Sequence, residues 1–345
     1  MAEPLLTGLD IGGAHLKVAQ LRADGRVAAA LQVPCALWQG LDRLEAALDV
    51  ALAGLAPVRR AAVTMTGELV DLFPERASGV RALVAAIGHR LPGVERCFWA
   101  GERGFLDARA AIADVEAVAS ANYLATASLA ARRLGEGLMV DVGSTTSDLV
   151  LLAKGRPRAC GTGDRGRLAS GELVYQGLVR TPLMAVAQQV PLAGSWHGVM
   201  NEHFATTADV YRLLGLLDEA DDGHPAADGG AKDPEGSARR LARMVGADLD
   251  ELPMQAWRGL ASFLADRQLR LLEDAAALQL SRRLVAADAP VIGAGCGVLL
   301  AERLAGRLDR PFVDLVSLLD CPPALRRPTA VCAPAVAVAL LLAGR

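Results

Sequence analysis

MVDVGSTTSDLVLL, residues 139–152, is an apolar run that ends on Asp141, turns through Gly143, Ser144, Thr145 and Thr146, and leaves through a second apolar run after Asp148. This pattern predicts a β-hairpin, with glycine where a Cβ would obstruct the turn. Such a turn offers backbone N–H groups and three consecutive hydroxyls to an anion, and a carboxylate at its mouth to a hydrated cation. The combination suits a diphosphate or a triphosphate. LLTGLDIGGAHLKVAQL, residues 5–21, repeats the design without gaps: Asp10 falls on Asp141, Gly12 on Gly143, Gly13 on Ser144 and Lys17 on Asp148. One such turn alone reads equally well as a structural hairpin. Two in register, roughly one domain length apart, imply a duplicated α/β unit whose hairpins face each other across a cleft.

The bulk properties fit that scheme. A chain of 345 residues with 52% hydrophobic content can bury a large core and is expected to form two domains. The net charge of −3 and the lack of a basic, aromatic-interleaved stripe argue against nucleic acid, leaving small molecules or other proteins as partners. Six cysteines, Cys35, Cys97, Cys160, Cys296, Cys321 and Cys332, show no C-x-x-C spacing and read as small buried residues in a reducing compartment. Glu3 and Asp10 interrupt what would have to be a signal-peptide core. The apolar run 330–343 contains Pro334 and is shorter than the ~18 residues of a membrane span, so it reads as a buried terminal helix. A soluble, cytoplasmic protein without a membrane partner is expected.

Along the first half, GRVAAALQVP supplies a third strand, and Leu41, Leu44, Leu48 and Leu52 mark a helix over 40–53. AAVTMTGELVDLFP, residues 61–74, reads as a strand running into a loop at Thr66, Gly67 and Glu68. Ligands of open α/β sheets sit beyond the carboxyl ends of strands, so Glu68 and Asp71 stand where chemistry can occur; Glu68 opening a solvated loop is the competing reading. Residues 76–91 form a helix and CFWAG a strand. Residues 114–134 read as one alanine-rich helix with Asn122 in its middle, either turned into the cleft or satisfied in the interior.

The expected halves are 1–136, joined by the C-terminal helix 330–345, and 137–329, with an inserted helical segment over about 183–286. In GTGDRGRLASGELVYQGLVRTP, residues 161–182, the arginines suit phosphate or carboxylate contacts, or only solvate a loop. Thr206 and Asp209 have capping-box spacing, and Glu202 and His203 just before them could touch substrate or metal. Residues 218–237 are polar and glycine-rich and read as a mobile surface loop with a solvated His224. Residues 254–286 predict one long helix, or two broken near Asp274. APVIGAGCGVLLAERLAG, residues 289–306, reads as a strand, a turn through Gly293, Gly295 and Gly297, and a helix whose N-terminus favours anions. Val298 replaces the third glycine of a dinucleotide fingerprint, although Asp314 keeps that alternative open.

Together the two DxG hairpins and the late glycine turn resemble the phosphate-1, phosphate-2 and adenosine motifs of the actin-like ATPase and sugar kinase (ASKHA) superfamily. DIGGAHLK, TMTGELVDLFP, DVGSTTSD, GELVYQGLVRTP and EHFATTADVYRLLG look more closely like the hydantoinase A and 5-oxoprolinase family, in its short branch linked to tetrahydromethanopterin-dependent one-carbon transfer. The resemblance implies a duplicated actin-like ATPase/ribonuclease H-like two-domain α/β fold with a central cleft. It also implies a synthase of methanofuran or methylofuran biosynthesis, which joins an aminomethylfuran methyl diphosphate to a tyrosine- or tyramine-type phenol and releases diphosphate.

That chemistry needs a diphosphate clamp, a divalent cation and a base for the phenol. Gly12, Gly13, Gly143, Ser144, Thr145 and Thr146 are the expected clamp, Asp10 and Asp141 the holders of Mg²⁺, and Lys17 an added charge. Glu68 is favoured as base over His15 and His203, because partial burial beyond a strand end can raise a carboxylate pKa. Asn122, Glu172, Arg180 and Glu202 are candidates for substrate contact, and Gly293, Gly295 and Gly297 for nucleotide or substrate. Whether ATP binds stays open, and a homo-oligomer is allowed. Two other functions compete: an ATP-dependent amide hydrolase or small-molecule kinase, and a non-enzymatic actin-like nucleotide sensor.

Overall fold

The computed structural model describes residues 5–161 and 163–344. Strands β1 (Leu5–Ile11), β2 (His15–Leu21) and β3 (Val27–Pro34) form an antiparallel meander. After helix α1 (Leu41–Ala53), β4 (Val58–Met65) returns parallel to β1. Helix α2 (Arg76–Arg90) then leads to β5 (Glu95–Trp99), parallel to β4, and to the short β6 (Phe105–Leu106). The sheet order is β3-β2-β1-β4-β5-β6. Three helices follow: α3 (Ala108–Ala113), α4 (Val115–Val118) and α5 (Asn122–Leu134).

The second sheet repeats the plan. Strands β7 (Gly137–Val142) and β8 (Ser147–Ala153) form the second hairpin, with β9 (Arg156–Pro157) paired to β8; helix α6 (Gly163–Ser170) precedes β10 (Leu173–Val174). An excursion follows, made of the hairpin β11 (Gln189–Leu192) and β12 (Ser195–Gly198) and the helices α7 (Thr207–Leu213), α8 (Pro234–Met244) and α9 (Met254–Leu280). Then come β13 (Val291–Ala294), α10 (Val298–Arg307), β14 (Phe312–Asp314), α11 (Arg326–Val331) and α12 (Ala333–Leu342). The order β10-β8-β7-β13-β14, antiparallel on one side of β7 and parallel on the other, matches the first sheet around β1. This is the duplicated actin-like arrangement. Every residue of β7 is buried, which explains its unbroken apolar reading.

The helices between the sheets are exchanged. Helix α5, from the first half of the chain, packs on β7, β8 and β9, whereas α12, from its end, packs on β1, β2 and β4; the two helices also pack on each other. A residue-136 boundary therefore separates the sheets but not the helices that cover them. Helix α12 is enclosed on all sides, with Ala333 to Leu341 buried, so its sequence needs no polar face. Among the described residues no single helix is long and apolar enough to cross a membrane; Pro323–Val331 and α12 meet the length only together, and they are bent by 99°.

Several expectations are corrected. The segment 114–134 is two helices, broken at 119–121 where Ser120 has φ 52°, and Asn122 is the first residue of α5 rather than its middle. Of the two readings of 254–286, the single helix holds: α9 runs unbroken past Asp274, but it ends at Leu280. Residues 218–237 are anchored: Asp222 is buried and pairs with Arg212 (2.5 Å) and Lys232 (3.2 Å), Asp221 pairs with Arg327, and α8 begins at Pro234. His224 is half-buried, with its ring centroid 5.2 Å from that of His15. Of the cysteines, all unpaired, Cys160 is exposed and Cys321 half-buried, unlike the other four.

The seam between α12 and the first sheet depends on Gly8, where any Cβ would overlap the carbonyl oxygen of Ala335. Overpacking at such a backbone contact costs about 1–3 kcal/mol, occasionally more. Gly8→Ala should therefore lower the urea midpoint by a matching amount. An unchanged midpoint would show that α12 can shift away at no cost.

Candidate active site between the two hairpins

The two hairpins bring their acids to one place. In β1/β2 Asp10 lies opposite Lys17, and in β7/β8 Asp141 lies opposite Asp148, the same register position in both sheets. Asp10, Gly12, Gly13, His15, Lys17, Asn122, Asp141, Gly143, Ser144, Thr145, Thr146 and Arg180 all border a single cavity of about 520 Å³. Each turn is closed by its own backbone: Gly12 N–H donates to the His15 carbonyl (3.0 Å) and Gly143 N–H to that of Thr146 (2.9 Å). Those two N–H groups are spent. The N–H groups of Gly13, Ser144 and Thr145 and the hydroxyls of residues 144–146 are the ones left to meet an anion.

The second turn rests on a buttress. Leu178 donates to the Gly143 carbonyl (2.9 Å), and Val179 and Arg180 donate to that of Ser144 (3.0 and 2.9 Å). Gly177 makes this approach possible, since a Cβ there would meet the Ser144–Thr145 backbone at 2.5 Å. Arg180 consequently stands at the cavity edge, with Nη1 3.5 Å from Thr145 Oγ1 and the guanidinium 5.6 Å from the Trp38 ring centroid. No carboxylate pairs with it among the described residues.

Burial sets the electrostatics. Asp10 is 3% exposed and its Oδ1 has no hydrogen-bond partner; desolvation raises its pKa, against the pull of Lys17 and a hydrogen bond with Asn122. Desolvation lifts Asp141 to about 6, opposed by Lys17 and Thr126 and reinforced by Asp10. For Lys17 desolvation is the largest single influence and pulls its pKa down, but Asp10, Asp141 and the nearby thiols together outweigh it and the net shift is upward. Lys17 is thus an ammonium between two buried acids. His15 falls to about 3 through burial and the cations around it, so it is neutral and weakly basic.

A second cluster adjoins the cavity. Glu68, on the turn Gly67–Leu69 after β4, is 1% exposed and does not border the cavity; its Oε1 accepts a hydrogen bond from Ser120 Oγ (2.9 Å), which does. Burial raises the Glu68 pKa. Ser120 Oγ is also 3.4 Å from Asp164, which interacts with Arg76 (3.6 Å) and Arg167 (3.4 Å). Arg167 pairs with Asp148 and lies 3.6 Å from the Tyr123 ring centroid. Ser120, Asp164 and Trp38 escaped the sequence reading. A break signal at Ser120-Ala121-Asn122 was available in the poor helix propensity of Ser and Asn.

Other candidates lie elsewhere. Glu172 is fully buried as a staple, accepting from the N–H groups of Cys160 (2.7 Å) and Gly161 (2.8 Å) and the Ser170 hydroxyl (2.8 Å). Glu202 and His203 are exposed, and His203 borders a separate cavity of about 300 Å³ beyond Arg180. Asn122 is at the cavity, its Oδ1 accepting from Tyr123 N–H (2.8 Å). The third glycine turn packs under β7: a Cβ at Gly295 (φ 83°) or Gly297 would overlap Val142, and Gly293 abuts Phe312 and Val298. Arg327 covers it, donating to the Cys296 carbonyl (3.3 Å) while paired with Asp221.

The carboxylates fit a hydrated Mg²⁺ better than a dry cage. Asp10 keeps a buried oxygen unpartnered, and no group of three or more acidic, His or Cys ligands occurs among the described residues. Such an ion would take most of its ligands from water and a bound phosphate group.

Comparison with known proteins agrees with this architecture. A "(4-{4-[2-(gamma-L-glutamylamino)ethyl]phenoxymethyl}furan-2-yl)methanamine synthase" from Methanocaldococcus jannaschii is 28% identical over 277 residues, 78% of this chain and 80% of that protein. The protein of the same name from Methanococcus vannielii is 31% identical over 115 residues, 33% of this chain and 51% of its own length. Among solved structures, nucleotide-free acetone carboxylase superposes with a TM-score of 0.58 at 13% identity, covering 98% of this chain and 70% of that one, a likeness of fold alone. The sequence profile of the hydantoinase/oxoprolinase family matches residues 59–340, and the chain belongs to that family.

Proposed function

We propose that this protein is a synthase of methanofuran-type cofactor biosynthesis, which joins an aminomethylfuran methyl diphosphate to a tyrosine- or tyramine-type phenol and releases diphosphate. The observation that carries the reading is the convergence of both hairpin turns, with Asp10, Lys17 and Asp141, on one cavity. The name of the M. jannaschii relative supports it, since a phenoxymethyl-furan contains the aryl ether this reaction would form. On this reading the third glycine turn serves packing under Val142 rather than a nucleoside.

In this reading the Ser144, Thr145 and Thr146 hydroxyls and the Gly13, Ser144 and Thr145 N–H groups hold the diphosphate. Lys17 and Arg180 offset its charge. Asp10 and Asp141 would hold Mg²⁺ through water, and the ion would supply neutralisation of charge on the departing oxygens. The furan stabilises the positive charge that grows on its exocyclic carbon as the C–O bond stretches, so donors fixed at the leaving group act mainly in the transition state.

The purified protein with Mg²⁺, the furan diphosphate and a panel of tyrosine-type phenols should yield the coupled ether and one equivalent of diphosphate by mass spectrometry. Free diphosphate without ether from any phenol would refute the reading. In thermal-shift titrations, diphosphate with Mg²⁺ should raise the Tm, while ATP should raise it no further.

Asp141→Asn tests the acid itself. Burial pushes its pKa up to about 6 from the ordinary 3.8, so the folded state keeps a proton that the unfolded chain releases between these values. Stability falls as pH rises through this window, by roughly 3 kcal/mol at its upper end. The metal-free Asn variant should therefore unfold at higher denaturant than the parent above pH 6, show no such gain near pH 4, and lose ether formation at neutral pH. A parent that is the more stable above pH 6 would contradict the electrostatic account.

A further inference from the structure

Deprotonation of the phenol is the step of the proposed reaction still without an assigned group, since the cavity-wall carboxylates Asp148 and Asp164 are held by Arg167 and Arg76 and Asp71 is exposed to solvent. Glu68 has the chemistry of a base, but it is sealed from the cavity, with Oε2 buried and unpartnered. His15 borders the cavity but binds a proton too weakly. Ser120 stands between, its hydroxyl donating to Glu68 Oε1 at 2.9 Å while the residue borders the cavity. We propose that Ser120 accepts the phenol proton and passes its own to Glu68, a two-member relay that deepens the synthase reading and rests on it.

Three observations carry the assignment. First, the hydrogen bond has the direction the relay needs: Ser120 Oγ has two carboxylates in reach and donates its one proton to the nearer, Glu68 at 2.9 Å rather than Asp164 at 3.4 Å, leaving the lone pairs of its oxygen for an incoming O–H. Second, Ser120 is held at φ 52°, a region that costs a non-glycine residue free energy and persists where the surrounding structure enforces it. Here the break between α4 and α5 enforces it and turns the hydroxyl out of the helical path. Third, the acceptor is poised by its neighbours. Desolvation raises Glu68, Asp164 repels its charge and Arg76 stabilises it, which moves a carboxylate toward the range of a working base.

The step balances. The phenol O–H bond breaks and its proton goes to Ser120 Oγ, whose own proton goes to Glu68 Oε1. The phenol oxygen forms the C–O bond to the furan methylene, and the C–O bond to diphosphate breaks with the electron pair leaving on diphosphate. After the products leave, Glu68 returns its proton through Ser120 to water in the cavity, and no oxidant or reductant is needed.

The experiment compares the parent with Ser120→Gly, Ser120→Ala and Glu68→Gln on two phenols, an ordinary tyrosine-type one and its ring-nitrated, far more acidic analogue. Glycine relieves the positive φ but also removes the hydroxyl that bonds buried Glu68, so the Tm of Ser120→Gly is measured beside its rate, and the difference between the two phenols at a temperature where the variant is folded carries the test. With the ordinary phenol kcat should fall about 10²–10³-fold with little change in KM, and with the nitrated one, which is already largely ionised near neutral pH, less than about 10-fold. The Ser120→Gly/Glu68→Gln double variant should be little worse than either single one, since both belong to one relay. Equal losses on both phenols would reduce Ser120 to a structural role and overturn the relay. Full activity of Ser120→Gly would overturn it as well, with the synthase reading intact. No ether from the parent enzyme would overturn both.

Discussion

Two carboxylates and an ammonium, taken out of water where two sheets meet, set the terms for the rest of this molecule. Asp10, Asp141 and Lys17 sum to one negative charge when all three are ionised, and desolvation holds both acids above their ordinary pKa. Nothing in hydrophobic packing demands such a cluster; Asn or Leu at these positions would fold with less strain on the electrostatics. A cluster that works against stability marks a site whose acids have another task. For a diphosphate the conflict is sharper still, since its anionic oxygens and the two acids repel one another unless a cation stands between them. On the proposed reading Lys17 supplies part of that compensation and a hydrated Mg²⁺ the rest.

The fold can hold these charges because its two sheets are locked by exchanged helices. With α5 on the second sheet and α12 on the first, neither sheet completes its core from its own contiguous segment, and each hairpin is backed by chain from the other half. The approach is close: Gly8 meets the backbone of α12, and Gly295 and Gly297 meet Val142 at the end of β7. The late glycines are thus explained by packing. They let α10 and its preceding turn support the strand that presents Asp141.

Much of this was legible in the sequence. The gapless alignment of the two hairpins, Asp10 on Asp141 and Lys17 on Asp148, carries over into the sheets, where each pair holds the same register position. The strands and most helices followed from apolar periodicity. What escaped was decided by tertiary contact. Glu172 looks like a cleft acid in a polar stretch, yet three donors from its own loop surround it. Residues 218–237 have the composition of a mobile loop, but ion pairs from Arg212 on α7 and from Arg327, distant in sequence, fix them. The break at Ser120 interrupts an alanine-rich run by only three residues, too short to displace the helical pattern on either side.

The duplication also shows where the halves diverged. At equivalent register positions the first hairpin carries Lys17 and the second Asp148. A lysine at the second position would have placed two ammoniums beside two acids and left the cavity neutral. Aspartate there instead requires its own counter-charge, which Arg167 supplies. Arg167 in turn holds Asp164, and Asp164 touches Ser120, so the compensation of Asp148 extends to the hydroxyl that faces Glu68. One exchange of sign between matched positions thus ties the charged centre at the hairpins to the buried carboxylate behind the first sheet. On the proposed reading it makes the two ends of the cavity chemically different, one to hold the diphosphate and one to accept the phenol proton.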